Sequence, residues 1–399
     1  MRNPILVDNQ PCFDQMMVHL RDQRIIALDT ESDSLFRYYP KVCLIQLSAY
    51  ALNQDALAQV DPANIRDYIT DYLVDPLKLP NIAENMSALG MLMADPDIEV
   101  IIHSAENDIY TLQKDFHFTF KNIFDTQLAA RILGWKRVGL AAMLQNHFGV
   151  ESDKSMQLAD WGERPLTHKH ISYAGMDTHY LLPLRDLLIQ ALRRERCWAE
   201  MQDACDMLET LDYHTRPVNE RSVWQMKQVG RVPLARMGFV ESLWLWREET
   251  AQQLDMPPFK IMRDNIILSI VERNPNNMIQ LKRIKGIQRE HKTLLADHGA
   301  TLLKAIRQGR TRTPPKLPLA KSSNMPDPPT QRRFDMLRKW RTQRAKSRGV
   351  DPEIVFSNAI LMRIAHRIPQ SIAELQTISG VSEWKANHYG DEILIVLAR

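Results

Sequence analysis

The sequence predicts an α/β domain followed by two small all-α units, with a proline-rich stretch between the last two. Three observations carry this. Short β-branched strand signals alternate with helical stretches through the first half of the chain. The second half shows helical patterning only. Within that half one pattern occurs twice, at a constant offset of 94 residues, as in Trp246-Arg247 and Trp340-Arg341.

The α/β part begins with Ile25-Ile26-Ala27-Leu28, which reads as a buried strand and ends abruptly in Asp29 and Glu31. Side chains at i and i+2 of a strand share a face, so two carboxylates converge where the strand leaves the core. Paired anions there are costly unless a cation neutralises them, and a divalent metal held by oxygens is one such agent. Taken alone, Asp-x-Glu is a weak signal that a solvated strand end explains more simply, because Asp is common in turns. Lys41 to Ser48 reads as a second strand, and Arg24 to Ser48 as a hairpin. Residues 51–71 are polar and read as an insertion. Tyr72-Leu73-Val74 is a third short strand and Glu99 to His103 a fourth. A helix starts near Ala105 and carries Asp108 in its first turn, a position the helix dipole also favours for purely structural reasons. From Asp125 to Leu211 the pattern is helical, with breaks near Gly134, Gly149 and Pro165. In Ile171 to Leu181, Tyr173 and Asp177 stand at i and i+4 on one helix face, beside the small Ala174 and Gly175.

In the second half, residues 236–310 form one helical unit and 331–399 another. Residues 311–330 hold six prolines without periodicity and read as an extended linker. The repeat pairs Ala251 with Ala345, Pro258 with Pro352, Pro275 with Pro369, Leu281 with Leu375, Ile284 with Ile378 and Gly286 with Gly380. The expected boundaries are 1–212 for the α/β domain, 213–235 for a connector, then 236–310, 311–330 and 331–399.

Composition narrows the function. With 399 residues, 44% apolar and 25% charged, the chain has the make-up of a globular protein of two or three domains. No apolar run approaches the roughly 20 residues of a membrane span. Asp8, Asp14 and Asp22 break up any secretory layout, so a cytoplasmic protein is expected. Four cysteines without CxxC spacing exclude a disulfide scaffold, and twelve scattered histidines argue against zinc. Charge is lopsided. Residues 1–100 carry 15 acidic and 7 basic side chains, a balance of −8, whereas 301–350 carry 14 basic and 2 acidic, a balance of +12. An acidic end with a basic tail suits a metal-dependent enzyme acting on nucleic acid.

Together, Asp29, Glu31, Asp108 and Asp177 are four carboxylates on separate elements, with Tyr173 one helical turn before the last. This set resembles the DEDD superfamily of 3′→5′ exonucleases, in the subgroup with a tyrosine in its third motif. The motifs here are Leu28-Asp29-Thr30-Glu31, His103-x4-Asp108 and Tyr173-Ala174-Gly175-Met176-Asp177. Tyr38-Tyr39-Pro40, Leu44-Ile45-Gln46-Leu47, Asp125-Thr126-Gln127 and Trp161-x-x-Arg164-Pro165-Leu166 add to the likeness. The repeated unit resembles the HRDC helical domain, and the whole arrangement resembles the ribonuclease D family. The resemblance implies a ribonuclease H-like mixed sheet followed by two HRDC domains. It also implies two divalent ions, Mg²⁺ or Mn²⁺, about 4 Å apart. By the same resemblance Asp29, Glu31 and Asp177 bind the nucleophile-side ion, with Asp29 bridging. Asp108 holds the second ion, partly through water. Tyr173 orients the attacking water; with an ordinary pKa of about 10 it is a poor base at neutral pH. The implied activity is 3′-end trimming of structured RNA such as tRNA precursors, releasing 5′-mononucleotides, by a monomer. A DNA exonuclease and a non-catalytic RNA-binding scaffold are the competing readings. Arg332, Arg333, Arg338, Lys339, Arg341 and Arg344 are the candidate phosphate contacts, with a solvated helix face as the plain alternative. Trp246 and Trp340 read as core. The sequence departs from the pattern in the length of 51–71 and in a second helical copy about three residues shorter near Tyr389-Gly390.

Overall fold

A computed structural model describes residues 3–52, 54–151, 154–213, 222–287, 292–316 and 327–398. Its α/β part is a six-stranded sheet in the order β1-β4-β3-β2-β5-β6. The strands are β1 (Ile5–Val7), β2 (Ile25–Ser32), β3 (Val42–Tyr50), β4 (Ile69–Val74), β5 (Glu99–Ile102) and β6 (Ile123–Asp125). The sheet is mixed, because β3 runs antiparallel to both β2 and β4 while the other pairings are parallel. The expected hairpin is therefore β2–β3. β4 begins three residues earlier than the sequence suggests, so residues 69–71 belong to the sheet and not to an insertion. The rest of that segment holds α2 (Gln54–Leu57) and a 3₁₀ turn, Pro62–Tyr68. β1 and β6 were not anticipated; three residues are too few to display a period.

Helices cover both faces. On one face α1 (Gln10–Arg21), α3 (Ile82–Met93) and α4 (Glu106–Phe116) share a core with Ile26, Leu28, Ile45 and Leu47. On the other, α5 (Thr126–Ile132), α6 (Leu140–Phe148), α8 (Leu181–Arg194) and α9 (Trp198–Glu209) pack on Ala27, Ile101 and Phe124. α7 (His168–His179) lies on that second face, against β2, β3 and β4. Thr167 caps its start, and the ring of His170 returns the hydrogen bond to the cap residue's N–H. β3 is buried along its whole length, as the centre of a two-sided sheet requires.

Compactness does not follow chain order. One compact unit comprises Met1–Ser32, Val42–Thr215 and Met325–Arg399; the other comprises Asp33–Lys41 and Arg216–Asn324. The β2–β3 connection thus belongs with the first helical copy. There Tyr38 joins the apolar core of that copy and its hydroxyl donates to Glu248 at 3.0 Å. The second copy belongs with the sheet. Arg348 donates to both oxygens of Glu200 on α9, at 2.9 and 2.5 Å, and Ser382 donates to Asp203 at 2.5 Å. Ile354 enters the same core as Leu188 and Cys205. Helix Pro328–Arg348 starts inside the stretch read as linker, which ends that stretch three residues sooner; 317–326 lie outside the described residues.

Candidate active site

β2 pairs with β5 only from Ile25 to Ala27, whereas its pairing with β3 continues to Ser32. Beyond Ala27 one edge of β2 is therefore open, and the motif residues stand there. Asp29 and Glu31 face the layer containing α7. Each of Asp29, Glu31 and Asp177 offers a carboxylate oxygen within 4.8 Å of the other two. Thr30 points the opposite way, toward α4, and its hydroxyl donates to Asp108 Oδ1 at 2.6 Å. Asp108 is buried and stands outside that group of three, so the structure brings together three of the four predicted carboxylates and leaves Asp108 beside them. Its charge is one of those that push up the pKa of Asp29.

The electrostatics of this group follow from burial and from the mutual repulsion of its carboxylates. Burial first, then Asp108, Asp177 and Glu31, raise Asp29 well above the usual carboxylate range. Burial and the charges of Asp177 and Asp108 push Glu31 up to about 9. Burial lifts Asp108 to about 7 against the opposing hydrogen bond from Thr30. It lifts Asp177 to about 7 against one from Tyr173. The Tyr173 hydroxyl is itself raised, by burial and then by Asp177, Glu31 and Asp29. Three half-buried carboxylates meeting at one point, with the charge of Asp108 near enough to raise two of them, supply the oxygen donors that a hard divalent cation takes. The residues present fit such an ion.

Supporting residues complete the picture. Asp125 caps α5 by accepting from Gln127 N (2.8 Å) and Leu128 N (3.0 Å). It also accepts from Ser104 N (3.0 Å) and Ala105 N (2.9 Å), which fixes the turn leading into α4 and so the place of Asp108. Arg164 grips Asp75 with two hydrogen bonds, at 2.6 and 2.7 Å, and holds the Trp161–Leu166 loop to the end of β4. Gln46 stands opposite Asp29 in the β2–β3 register, fully buried, and among the described residues neither end of its amide has a hydrogen-bond partner. Residue type alone singles out neither Thr30 nor Gln46. Only the alternation of β2 and the register of the hairpin do so.

The six candidate phosphate contacts are not equivalent. Arg332, Arg338 and Lys339 are exposed. Arg333 donates to Ala365 O at 2.8 Å, and Arg344 pairs with Glu392 at 3.6 Å. Arg341 is buried and donates to Phe356 O at 2.8 Å, so it serves the interior of its helical unit and not an outward basic face. Trp246 is buried and Trp340 half-buried, both packed in their cores.

Comparison with known proteins agrees with this geometry. A family model described as a 3′–5′ exonuclease matches residues 4–193, and the HRDC domain model matches 236–306 and 330–397. The chain is 25% identical over 395 residues to a ribonuclease D of Gluconacetobacter diazotrophicus, covering 98% of this chain and 92% of that one. It is 27% identical over 395 residues to the exosome complex exonuclease RRP6 of Saccharomyces cerevisiae, of whose length it spans 51%. Its fold is shared with the crystal structure of Escherichia coli RNase D, at a TM-score of 0.64 and 20% identity, covering 100% of this chain and 99% of that one. One exonuclease domain followed by two HRDC domains, matched end to end by ribonuclease D homologues, places the chain among the ribonuclease D-type 3′–5′ exonucleases.

Proposed function

We propose that this enzyme trims the 3′ ends of structured RNA, tRNA precursors among them, releasing 5′-mononucleotides. The observation that carries the reading is the convergence of Asp29, Glu31 and Asp177, three carboxylates from β2 and α7, at one point. In this reading they hold one divalent ion, Mg²⁺ or Mn²⁺. Asp29 and Asp108 would hold a second such ion. Bound there, the ions supply Lewis-acid stabilisation of the phosphodiester and activation of water.

The chain's own residues do the rest. Tyr173, whose hydroxyl is pushed above its ordinary pKa, keeps its proton and orients the attacking water through hydrogen bonds. Asp177 anchors that hydroxyl. Thr30 fixes the rotamer of Asp108, and Asp125 fixes the turn before it. Attack on the terminal phosphodiester breaks the P–O3′ bond and leaves a new 3′ hydroxyl on the shortened chain. RNA as substrate is supported by the relatives: the E. coli structure is described as an exoribonuclease involved in structured RNA processing. The exposed Arg332, Arg338 and Lys339 are the proposed phosphate contacts of the second helical copy. We also propose a monomer working in the cytoplasm; no described helix is long and apolar enough to cross a membrane. The domain limits proposed are 1–212, 213–235, 236–310, 311–330 and 331–399.

The test uses matched 3′-extended RNA and DNA with Mg²⁺ or chelator, beside Asp29→Asn. Stepwise shortening of RNA is expected, lost with chelator and reduced by about 10²–10³-fold or more in the variant. Preference for DNA, or binding without cleavage, refutes the reading.

A further inference from the structure

We infer that a buried polar clamp beneath α7, made of Ser48, Asp71, Thr178 and His179, positions Asp177 and Tyr173 for the reaction. Ser48 on β3 and Asp71 on β4 are cross-strand partners, on the sheet face that α7 covers. Ser48 Oγ donates to Asp71 Oδ1 at 2.6 Å. Thr178 Oγ1 lies 2.7 Å from Ser48 Oγ, and because the Ser48 proton is committed to Asp71, Thr178 is the donor. His179 Nδ1 lies 2.9 and 3.1 Å from the two oxygens of Asp71. An acceptor-only carboxylate leaves the ring nitrogen to donate. The clamp is thus a directed chain, Thr178 to Ser48 to Asp71, closed from the other side by His179. Relative exposures are 0% for Ser48 and Thr178, 3% for His179 and 4% for Asp71.

Such a cluster is a poor way simply to glue a helix to a sheet. Apolar side chains of similar volume hold as well or better, and each net hydrogen bond adds only about 1 kcal/mol. What hydrogen bonds add is direction. They fix the rotation and axial register of the last turn of α7, and Asp177 is the residue immediately before Thr178. On the sheet side, Gln46, in register with Asp29, stands two residues before Ser48 on the same face. The clamp therefore lies one step from the carboxylates along both elements. A slip of one residue turns a helix by about 100° and advances it about 1.5 Å, which takes Asp177 away from Asp29 and Glu31. These four are positioning residues, acting through Asp177. Groups bonded directly to metal-ligating side chains are worth about 10–100-fold in metal affinity or activity, and that range bounds what a clamp acting through the adjacent residue contributes.

The inference rests on the exonuclease reading, and its test separates the two. His179→Leu and Thr178→Val cut the clamp. His179→Asn keeps a donor close to the place of Nδ1, and Thr178→Ser keeps the hydroxyl. Each full-length variant is melted, its Mn²⁺ binding measured by electron paramagnetic resonance without RNA, and its kcat and KM measured on RNA. The cutting variants are expected to lose about 10–100-fold in kcat and to bind Mn²⁺ more weakly by a similar factor, with KM unchanged. The conservative pair is expected to recover both. If the cutting variants melt earlier yet bind Mn²⁺ and turn over like wild type, the clamp is scaffolding only and the inference fails. If His179→Leu does not fold, Thr178→Val, which removes one neutral hydrogen bond, decides alone. A wild type that binds Mn²⁺ but does not shorten RNA overturns the exonuclease reading, while the Mn²⁺ comparison among variants still judges the clamp.

Discussion

The two helical copies share most of an interior and differ chiefly at one corner. Arg247 donates to Met262 O at 3.1 Å and Arg341, 94 residues on, donates to Phe356 O at 2.8 Å. Gly286 and Gly380 hold the same left-handed turn, at φ of 96° and 87°. Short helices at Met278–Lys282 and Ile372–Gln376 are capped by Asn277 and Ser371. The corner is the end of the first long helix. In the first copy Asp255 there accepts from Tyr38 N at 3.1 Å, and Arg37 approaches it at 3.8 Å. In the second copy the corner carries Arg348, gripping Glu200, and Gly349. A Cβ on Gly134 would stand 2.8 Å from the Gly349 carbonyl. Duplication preserved the fold and the docking corner, and the chemistry of that corner then diverged with what it receives.

The largest break in this comparison should come from Arg348→Ala, which strands the buried Glu200; a loss of about 3–5 kcal/mol in denaturant unfolding is expected. Leu254, its counterpart in the first copy, is exposed, and Leu254→Ala should cost no more than about 0.5 kcal/mol. Equal losses would erase the proposed division. Next comes the shared arginine. Arg247 also pairs with Asp264 at 2.6 Å, whereas the position equivalent to Asp264 is Asn358. Arg247→Met should therefore cost about 2–3 kcal/mol and Arg341→Met about 1 kcal/mol, measured the same way. The smallest effect concerns Asn274 and Ile368, both in the left-handed region at φ of 46° and 50°. A β-branched side chain is strained there, so Ile368→Asn should stabilise by up to about 1 kcal/mol in thermal melts.

Charge pairing at Glu200 contrasts with charge crowding at the carboxylate cluster, and pH separates the two. Raised carboxyl pKa values mean that the folded state holds more protons than the unfolded chain between the ordinary carboxylate range and the native values of about 7 to 9. Stability of the metal-free protein should therefore fall as pH rises through that window. Melting in chelator at pH 5 and at pH 8.5 measures the slope, which Asp29→Asn should flatten and Mn²⁺ should reverse. A flat profile in the unaltered protein would mean that the cluster is not under charge strain.

Legibility varied with how local the determining interaction is. The carboxylates were readable because strand alternation and helical i,i+4 spacing fix which side chains share a face. The strands Ile25–Ser32 and Val42–Tyr50 were readable from β-branched runs. By contrast, Glu200, Asp203, Arg348 and Ser382 are polar residues scattered over two regions, and nothing in their spacing announces a contact. Ser48 likewise reads as an ordinary strand-end polar residue. Asp71 reads as part of an insertion because β4 starts with Ile69-Thr70-Asp71, which lacks a continuous apolar run. The basic stretch looked uniform in sequence, yet one helix turns Arg341 inward and Arg332 outward.

The β2–β3 connection has a practical consequence for dissection. Because residues 33–41 belong to the compact unit of the first helical copy, the chain enters that unit twice and leaves it twice. A protein shortened to residues 1–212 keeps Tyr38 but loses Glu248 and Asp255, which receive it. Its hairpin tip would carry an orphaned aromatic loop, prone to self-association. Truncation therefore does not yield the catalytic domain minus an accessory; it yields a domain with an unfinished edge, and activity lost on truncation is not by itself evidence that the helical copies bind RNA.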